Sequence, residues 1–228
     1  MVAATSFHNP GSIAKMAENI DEISQGNFVL GLGCGWHEDE YRMYGLPYDH
    51  RVDRFEEAFT IIRGLLRDGA VDFDGRFYAA RDCELLPRGP RPGRLPLLIG
   101  SNGPRMLRLT MADADAWNSW FADFGNRPEG IGRLRELVDA ACRDVGRDPT
   151  EVARTVAVMV HLPGGTGRVQ GNYAKDRPLP LEGPPAAMAA VLREFAREGI
   201  GHVQLVLDPI TTDSIRAIGA VLTELDRA

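Results

Sequence analysis

Apolar positions along this 228-residue chain switch repeatedly between the period of a strand and the period of a helix. Ile13, Met16, Ala17, Ile20 and Ile23 recur at three- and four-residue spacing, which puts them on one helical face. With Pro10 near the first turn, where a missing N–H is harmless, they predict a helix over 10–24. The run Phe28-Val29-Leu30 predicts a buried strand over 28–32. A long acidic and aromatic loop is expected next, then a helix at about 50–67 that turns Phe55, Phe59, Ile62, Leu65 and Leu66 inward. Further strands are expected at 95–99, 115–118, 152–161 and 202–207, with a strand tail at 2–5. Further helices are expected at about 103–113, 128–145, 186–198 and 211–226. A short hairpin on Asp74-Gly75 and a stiff crossing from Pro87 to Pro96 interrupt the alternation. Residues 163–185 form a long loop rich in glycine, proline and polar residues, for which a lid over a ligand and plain disorder are both open readings.

Strands followed by helices, with no repeat or linker between them, argue a parallel α/β sheet in a single domain over 1–228. The composition, 44% hydrophobic and 25% charged, is that of an ordinary soluble globular chain. A net charge of −6 gives no reason to expect a nucleic acid or an anionic membrane as partner. The cysteines, Cys34, Cys83 and Cys142, are odd in number and lack metal-ligand spacing, which favours reduced thiols in a cytoplasm. No apolar run approaches the roughly 18 residues of a membrane span, and the N-terminus lacks a basic segment followed by an apolar one. The expectation is a cytoplasmic protein.

Chemistry concentrates at two strand ends. Gly31, Gly33 and Gly35 let backbone approach a ligand, or else mark a bulge or tight turn. A dinucleotide fingerprint would need glycine at 36, where Trp36 stands, and a helix directly after it, so the Rossmann reading fails. Trp36 itself reads equally as core or as ligand-facing. Cys34 is expected to be a small packing residue, since no nearby lysine or arginine lowers its pKa. His37, Glu38, Asp39 and Glu40 are consecutive, so their side chains diverge and no metal is expected there. At the second strand end, Gly100-Ser101-Asn102-Gly103-Pro104 leads into a helix whose free N–H groups and dipole suit a phosphate. Ser101 or Asn102 is the expected N-cap, and Arg105 and Arg108 add positive charge; the bland alternative is a turn that caps itself and binds nothing. His8 suits helix-start packing better than substrate contact, and His50, Arg51, Asp53 and Arg54 are read as stabilising a helix start. His161 ends a strand, the side on which parallel α/β sheets bind ligands, and His202 begins one.

Five segments, in order and at matching spacing, resemble the luciferase-like flavin oxidoreductases, the family of bacterial luciferase and of many deazaflavin (F420)-dependent enzymes. They are Val2 to Pro10, Gly31 to Glu40, Tyr48 to Glu57, Leu98 to Leu107 and Ala112 to Asn118. The resemblance implies a TIM (β/α)₈ barrel. Six strands are found where eight are required, and at roughly 30 residues per strand-helix unit the first two βα units, about 60 residues, are expected to be absent in front of Met1. The implied function is an oxidoreductase that moves a hydride between a cofactor, coenzyme F420 or alternatively FMN, and a small organic substrate. Gly33, Gly35 and Trp36 would line the cofactor pocket, with Cys34 among them. Gly100, Ser101, Asn102, Gly103 and Pro104 would lie against the cofactor's phosphate-bearing tail, Ser101 departing from the glycine or alanine frequent there. Thr5, at the carboxyl end of its strand, resembles a position that contacts the ring edge. The family's acid-base residues, a histidine and carboxylates near the first two strand ends, have no counterpart, so no catalytic residue is assigned. The rival reading is a non-catalytic or degenerate barrel fragment that binds cofactor weakly or serves as an oligomerisation partner; a truncated reading of a normal enzyme is preferred to it. A homodimer is expected, since family members mostly pair through barrel helices.

Overall fold

The computed structural model describes residues 2–162 and 178–227. Most of the long glycine- and proline-rich loop, and with it the lid expectation, lies outside the described residues. The chain forms two compact units, Met1–Ala116 with Ala141–Val152 and Trp117–Ala140 with Ala153–Ala228.

In the first unit the elements are β1 (Ala3–Ala4), α1 (Pro10–Ile23), β2 (Leu30–Gly33), α2 (Glu38–Tyr44), α3 (Arg51–Asp68), β3 (Ala70–Asp74), β4 (Ala79–Glu84), β5 (Leu97–Gly100) and α4 (Pro104–Thr110). Strands β1, β2 and β5 are parallel neighbours in that order, with Ala4 opposite Gly33 and Leu32 opposite Ile99. Leu30, Leu32, Leu97 and Ile99 are buried, as a strand covered on both faces requires. The inward face of α3 is the expected one: Phe55, Phe59, Ile62, Leu65 and Leu66 are all buried, and the helix packs on α1 and on the turn at 5–7.

Two local expectations are corrected. The acidic stretch after β2 is not a loop throughout but contains α2, whose first turn carries Glu38, Asp39 and Glu40 where the helix dipole favours them. Gly45, at φ +68°, ends it. Seven residues with one buried side chain, Tyr41, are too few to show an apolar period. On α1 the buried set is Ile13, Ala14 and Ala17 together with Glu18 and Asp21, while Met16, Ile20 and Ile23 are exposed. The helix is rotated from the expected face because its acids are held from outside. Arg91 pairs with Asp21, Gly89 N–H donates to Glu18, and Arg88 lies 3.5 Å from Glu18. The crossing that carries these groups is thereby fastened to α1.

The predicted hairpin is present as β3–β4, with Asp74 opposite Ala79. Its turn sits on α3, where the Glu57 carboxylate accepts N–H bonds from Arg76 (2.8 Å), Phe77 (2.8 Å) and Tyr78 (2.9 Å).

The remaining elements are β6 (Ala116–Ser119), α5 (Ile131–Asp144), β7 (Ala153–His161), α6 (Pro185–Arg197), β8 (His202–Asp208) and α7 (Thr212–Asp226). In the second unit β7 runs parallel to β8, with Thr155 opposite His202 and His161 opposite Asp208, and β6 lies on the other side of β7. A polar layer ties the three strands: Asn118 Nδ2 donates to Thr155 Oγ1 (2.8 Å) and Gln204 Oε1 (2.6 Å), and Thr155 Oγ1 donates to the Trp117 carbonyl (3.0 Å). The described end of the long loop returns onto β7, where Leu181 bridges Val160. Every strand predicted from the pattern is present, its ends shifted by two residues at most.

Candidate functional site

The sequence-predicted site residues of the first unit gather at the carboxyl ends of β1, β2 and β5. Gly33 and Gly100 end neighbouring strands. A Cβ at Gly33 would lie 3.4 Å from both Gly100 O and Val2 Cγ2, and one at Gly100 would lie 2.8 Å from Val2 Cγ1. Glycine at 100 is therefore already favoured by the packing of the Val2 side chain, whereas a Cβ at 33 would make only ordinary van der Waals contacts. Thr5 is fully buried in a turn packed on α3, and its Oγ1 has no hydrogen-bond partner.

Past β2, the backbone from Cys34 to Trp36 is held by side chains. Tyr41 Oη donates to Cys34 O (2.6 Å), Arg51 Nη1 to Gly35 O (3.0 Å) and Tyr48 Oη to Trp36 O (3.1 Å). Gly35 is left-handed at φ +72°, and a Cβ there would collide with the Tyr41 hydroxyl. Burial pushes the Tyr41 phenol up, which keeps it a proton donor to Cys34 O. Trp36 is 64% exposed, which decides between the two readings left open above: it is not core. Its ring meets His37 edge-on at 5.2 Å.

Cys34 is half-buried, and burial pushes its thiol up while the Arg51 charge pulls the other way. Arg51, seventeen residues on in the chain, is thus brought near Cys34 by the fold, which the sequence does not show. His37 to Glu40 start α2 instead of converging, and Asp39 pairs with Arg42 at 2.8 Å, which holds its carboxyl below the usual range.

At the second strand end the N-cap of α4 is Gly103, not Ser101 or Asn102. Ser101 instead accepts from Gly103 N–H at 3.2 Å. The first backbone bond of α4 runs from Leu107 N to Gly103 O, so the amides of Arg105 and Met106 precede the helical ladder. The Arg105 side chain turns to α3, pairing with Asp53 (2.6 Å) and Glu56 (2.7 Å), so its charge is neutralised; Arg108 is exposed. Asp53 also receives His50 Nδ1 at 2.9 Å, and these two partners, His50 first, hold its carboxyl below the usual range. Of the four residues read as stabilising this helix start, His50 stands at the N-cap of α3 and bonds Asp53, and Arg54 bonds Asp49 O, while Arg51 turns instead to Gly35 O. Two open grooves, of about 370 and 390 Å³, share Asp53 and Arg105; neither is walled by the strand-end glycines or by Trp36.

His8 is exposed, while His161 and His202 stand at opposite ends of their strands in the second unit. Tyr41, Tyr48 and Arg51 as holders of the glycine-rich loop were not legible in the sequence. Among the described residues no group of His, Cys, Asp and Glu is placed to hold a metal ion, and no helix is long and apolar enough to cross a membrane.

The model of the luciferase-like monooxygenase family matches residues 1–200. The chain belongs to that family. It is 34% identical over 162 residues to phthiodiolone/phenolphthiodiolone dimycocerosates ketoreductase of Mycobacterium sp. (strain JLS), covering 70% of this chain and 41% of that protein. It is 32% identical over 163 residues to pyrimidine monooxygenase RutA of Caulobacter sp. (strain K31), covering 69% of this chain and 44% of that one. The chain thus spans less than half the length of these curated relatives. The solved coenzyme F420-dependent tetrahydromethanopterin reductase of Methanopyrus kandleri superposes with a TM-score of 0.78 at 15% identity, over 99% of this chain and 81% of that structure. The fold is the TIM-barrel type of the luciferase-like enzymes, as the five sequence segments implied.

Proposed function

We propose that the chain serves an oxidoreductase that moves a hydride between a deazaflavin, coenzyme F420, and a small organic substrate, with FMN as the alternative cofactor. The observation that carries this reading is the pairing of two glycine-bearing strand ends, β2 and β5, beside an exposed tryptophan on a held backbone. Ligands of parallel α/β sheets bind at the carboxyl ends of the strands. F420 is placed first because the fold is shared with an F420-dependent reductase, while relatedness to a pyrimidine monooxygenase keeps the flavin alternative in view.

The residues present fit such a group. The amides at the start of α4 and the open space at Gly103, where a Cβ would have nothing nearer than 3.7 Å, suit the phosphate-bearing tail. Gly33, Gly35 and Trp36 would meet the ring system, Gly100, Ser101, Asn102, Gly103 and Pro104 the tail, and Thr5, just past β1, would stand at the ring edge. The cofactor when bound supplies the hydride chemistry; the protein supplies anchoring, orientation and exclusion of water. No side chain is assigned to proton transfer. A cytoplasmic location and a homodimer belong to the same proposal.

Titration of the purified protein with F420 and with FMN, followed by absorbance and fluorescence, tests it. Saturable binding of either cofactor, weakened about tenfold or more by Trp36→Ala, is expected, equivalent to about 1.4 kcal/mol. Binding of neither would overturn the reading. Binding without turnover of any small carbonyl or alcohol substrate would favour the rival, a barrel fragment that holds cofactor without catalysis.

A further inference from the structure

Loop carbonyls at a strand end are ordinarily satisfied by water, at little net cost. Here three in succession are taken by side chains from one place. Cys34 O, Gly35 O and Trp36 O receive Tyr41, Arg51 and Tyr48, residues of α2, of the first turn of α3 and of the segment between them. The donors also touch one another. The Arg51 guanidinium lies over the Tyr48 ring at 4.0 Å from its centroid, and the Tyr41 and Tyr48 rings meet edge-to-face at 5.2 Å. Three consecutive peptide planes are thus fixed with their carbonyls turned toward the helices. With the carbonyls so fixed, the Cα–Cβ direction of Trp36 is fixed as well, although the indole itself is 64% exposed.

We infer that Tyr41, Tyr48 and Arg51 act as positioning residues that hold Trp36 as a preformed flat face for a planar heteroaromatic ring. An exposed indole on a mobile loop would lose conformational freedom on binding such a ring; one on a held backbone loses less, so the gain appears as affinity. The inference rests on the proposed cofactor-binding role of this strand end, and names the groups that prepare it.

The sequence holds three tryptophans, Trp36, Trp117 and Trp120, so protein labelled with 5-fluorotryptophan gives one fluorine resonance for each, that of Trp36 being assigned with Trp36→Phe. Tyr48→Phe keeps the ring beneath Arg51 and deletes only the bond to Trp36 O; Arg51→Lys removes the planar fork that reaches Gly35 O. Each is expected to shift or broaden the Trp36 resonance, leave those of Trp117 and Trp120 in place, and weaken F420 or FMN binding by about three- to tenfold, or 0.7 to 1.4 kcal/mol on the usual conversion. Tyr44→Phe is the control, because Tyr44 belongs to the same aromatic group, against Phe7 at 5.7 Å, and gives the loop no hydrogen bond. An unmoved Trp36 resonance in both variants, or a lower melting temperature with unchanged cofactor affinity, would overturn the inference. Should the wild-type protein bind neither cofactor, the proposed function fails, while the fluorine resonances still decide whether these side chains hold Trp36.

Discussion

The Asn126 side chain pairs with Met159 in the way a neighbouring strand would. Its Nδ2 donates to Met159 O at 2.9 Å and its Oδ1 accepts from Met159 N at 2.9 Å. Nδ2 also reaches Leu179 O at 3.0 Å, and Arg127 bonds the carbonyls of Leu179 and Pro180, so the returning limb of the long loop is fastened to β7. Asn126 is fully buried and left-handed at φ +57°, a conformation asparagine tolerates better than most residues. Asn126→Ala should remove the bond to the Met159 N–H and one bond each from the Met159 and Leu179 carbonyls, which keep Leu181 N–H and Arg127 as donors, and cost about 1–3 kcal/mol. Urea denaturation measures it, and a loss below about 0.5 kcal/mol would show that water replaces the amide.

Removing one member of the buried pair between α1 and the crossing should be more damaging than neutralising both. The Asp21 side chain is 1% exposed, and Arg91 is its charged partner. Arg91→Met leaves a carboxylate buried without its cation, for an expected loss of about 3–5 kcal/mol, whereas Arg91→Met combined with Asp21→Leu should recover a large part of that loss. A double-mutant cycle in denaturant reads the coupling directly; additive losses would contradict it.

The extent to which the structure was legible follows the sequence distance over which each feature is decided. Residues within one turn or one strand decide α3, the Asp74-Gly75 hairpin and the strand positions, and their periodicity shows in a short window. The face of α1 is decided by Arg88 and Arg91, about seventy residues downstream, so an apolar stripe reads as buried when the acids beside it are the buried groups. Likewise the side chain of Arg105 looks available for a phosphate until Asp53 and Glu56, on another helix, take it up. At the glycine-rich loop the sequence shows that backbone is special, because glycine is a local signal. It does not show Arg51 bonding Gly35, sixteen residues away, since an arginine can go anywhere its stem reaches.

Acid should weaken the link between α3 and α4 through Asp53. His50 and Arg105 lower its carboxyl pKa in the folded state, so its stabilising contribution is complete above the unfolded value of about 3.9 and is lost as pH falls through the lower folded value. Asp53→Asn should therefore be less stable than wild type at pH 7, with the difference shrinking toward pH 3. The group is solvent-exposed, so added salt should shrink the difference as well. A difference that does not vary with pH, followed by urea midpoints, would assign the effect to packing.

The exposed stripe on α1 predicts self-association. Met16, Ile20 and Ile23 lie at i, i+4 and i+7, and the helix cannot roll them inward while Asp21 and Glu18 are held from the opposite side. Light scattering should give a mass near twice 25.0 kDa, reduced toward the monomer by Ile20→Glu with Ile23→Glu. A wild-type monomer at micromolar concentration would refute the expectation.

The two glycines at the β5 end should separate structure from binding. Gly100 has Val2 Cγ1 2.8 Å from any added Cβ, so Gly100→Ala presses on the strand packing and should lower stability by about 1–3 kcal/mol, whatever it does to ligand affinity. Gly103 is exposed, has an ordinary negative φ of −71°, and would meet no atom nearer than 3.7 Å through a Cβ. Gly103→Leu should therefore fold with nearly wild-type stability. If the tail phosphate sits on the Arg105 and Met106 amides, the new side chain stands in its approach, and affinity for F420 or FMN should fall about tenfold or more. Isothermal titration beside a melting curve reads both quantities on the same sample. Unchanged affinity in a well-folded Gly103→Leu protein would remove the phosphate from this helix start, and would leave Trp36 and its held backbone as the remaining anchor for a bound ring.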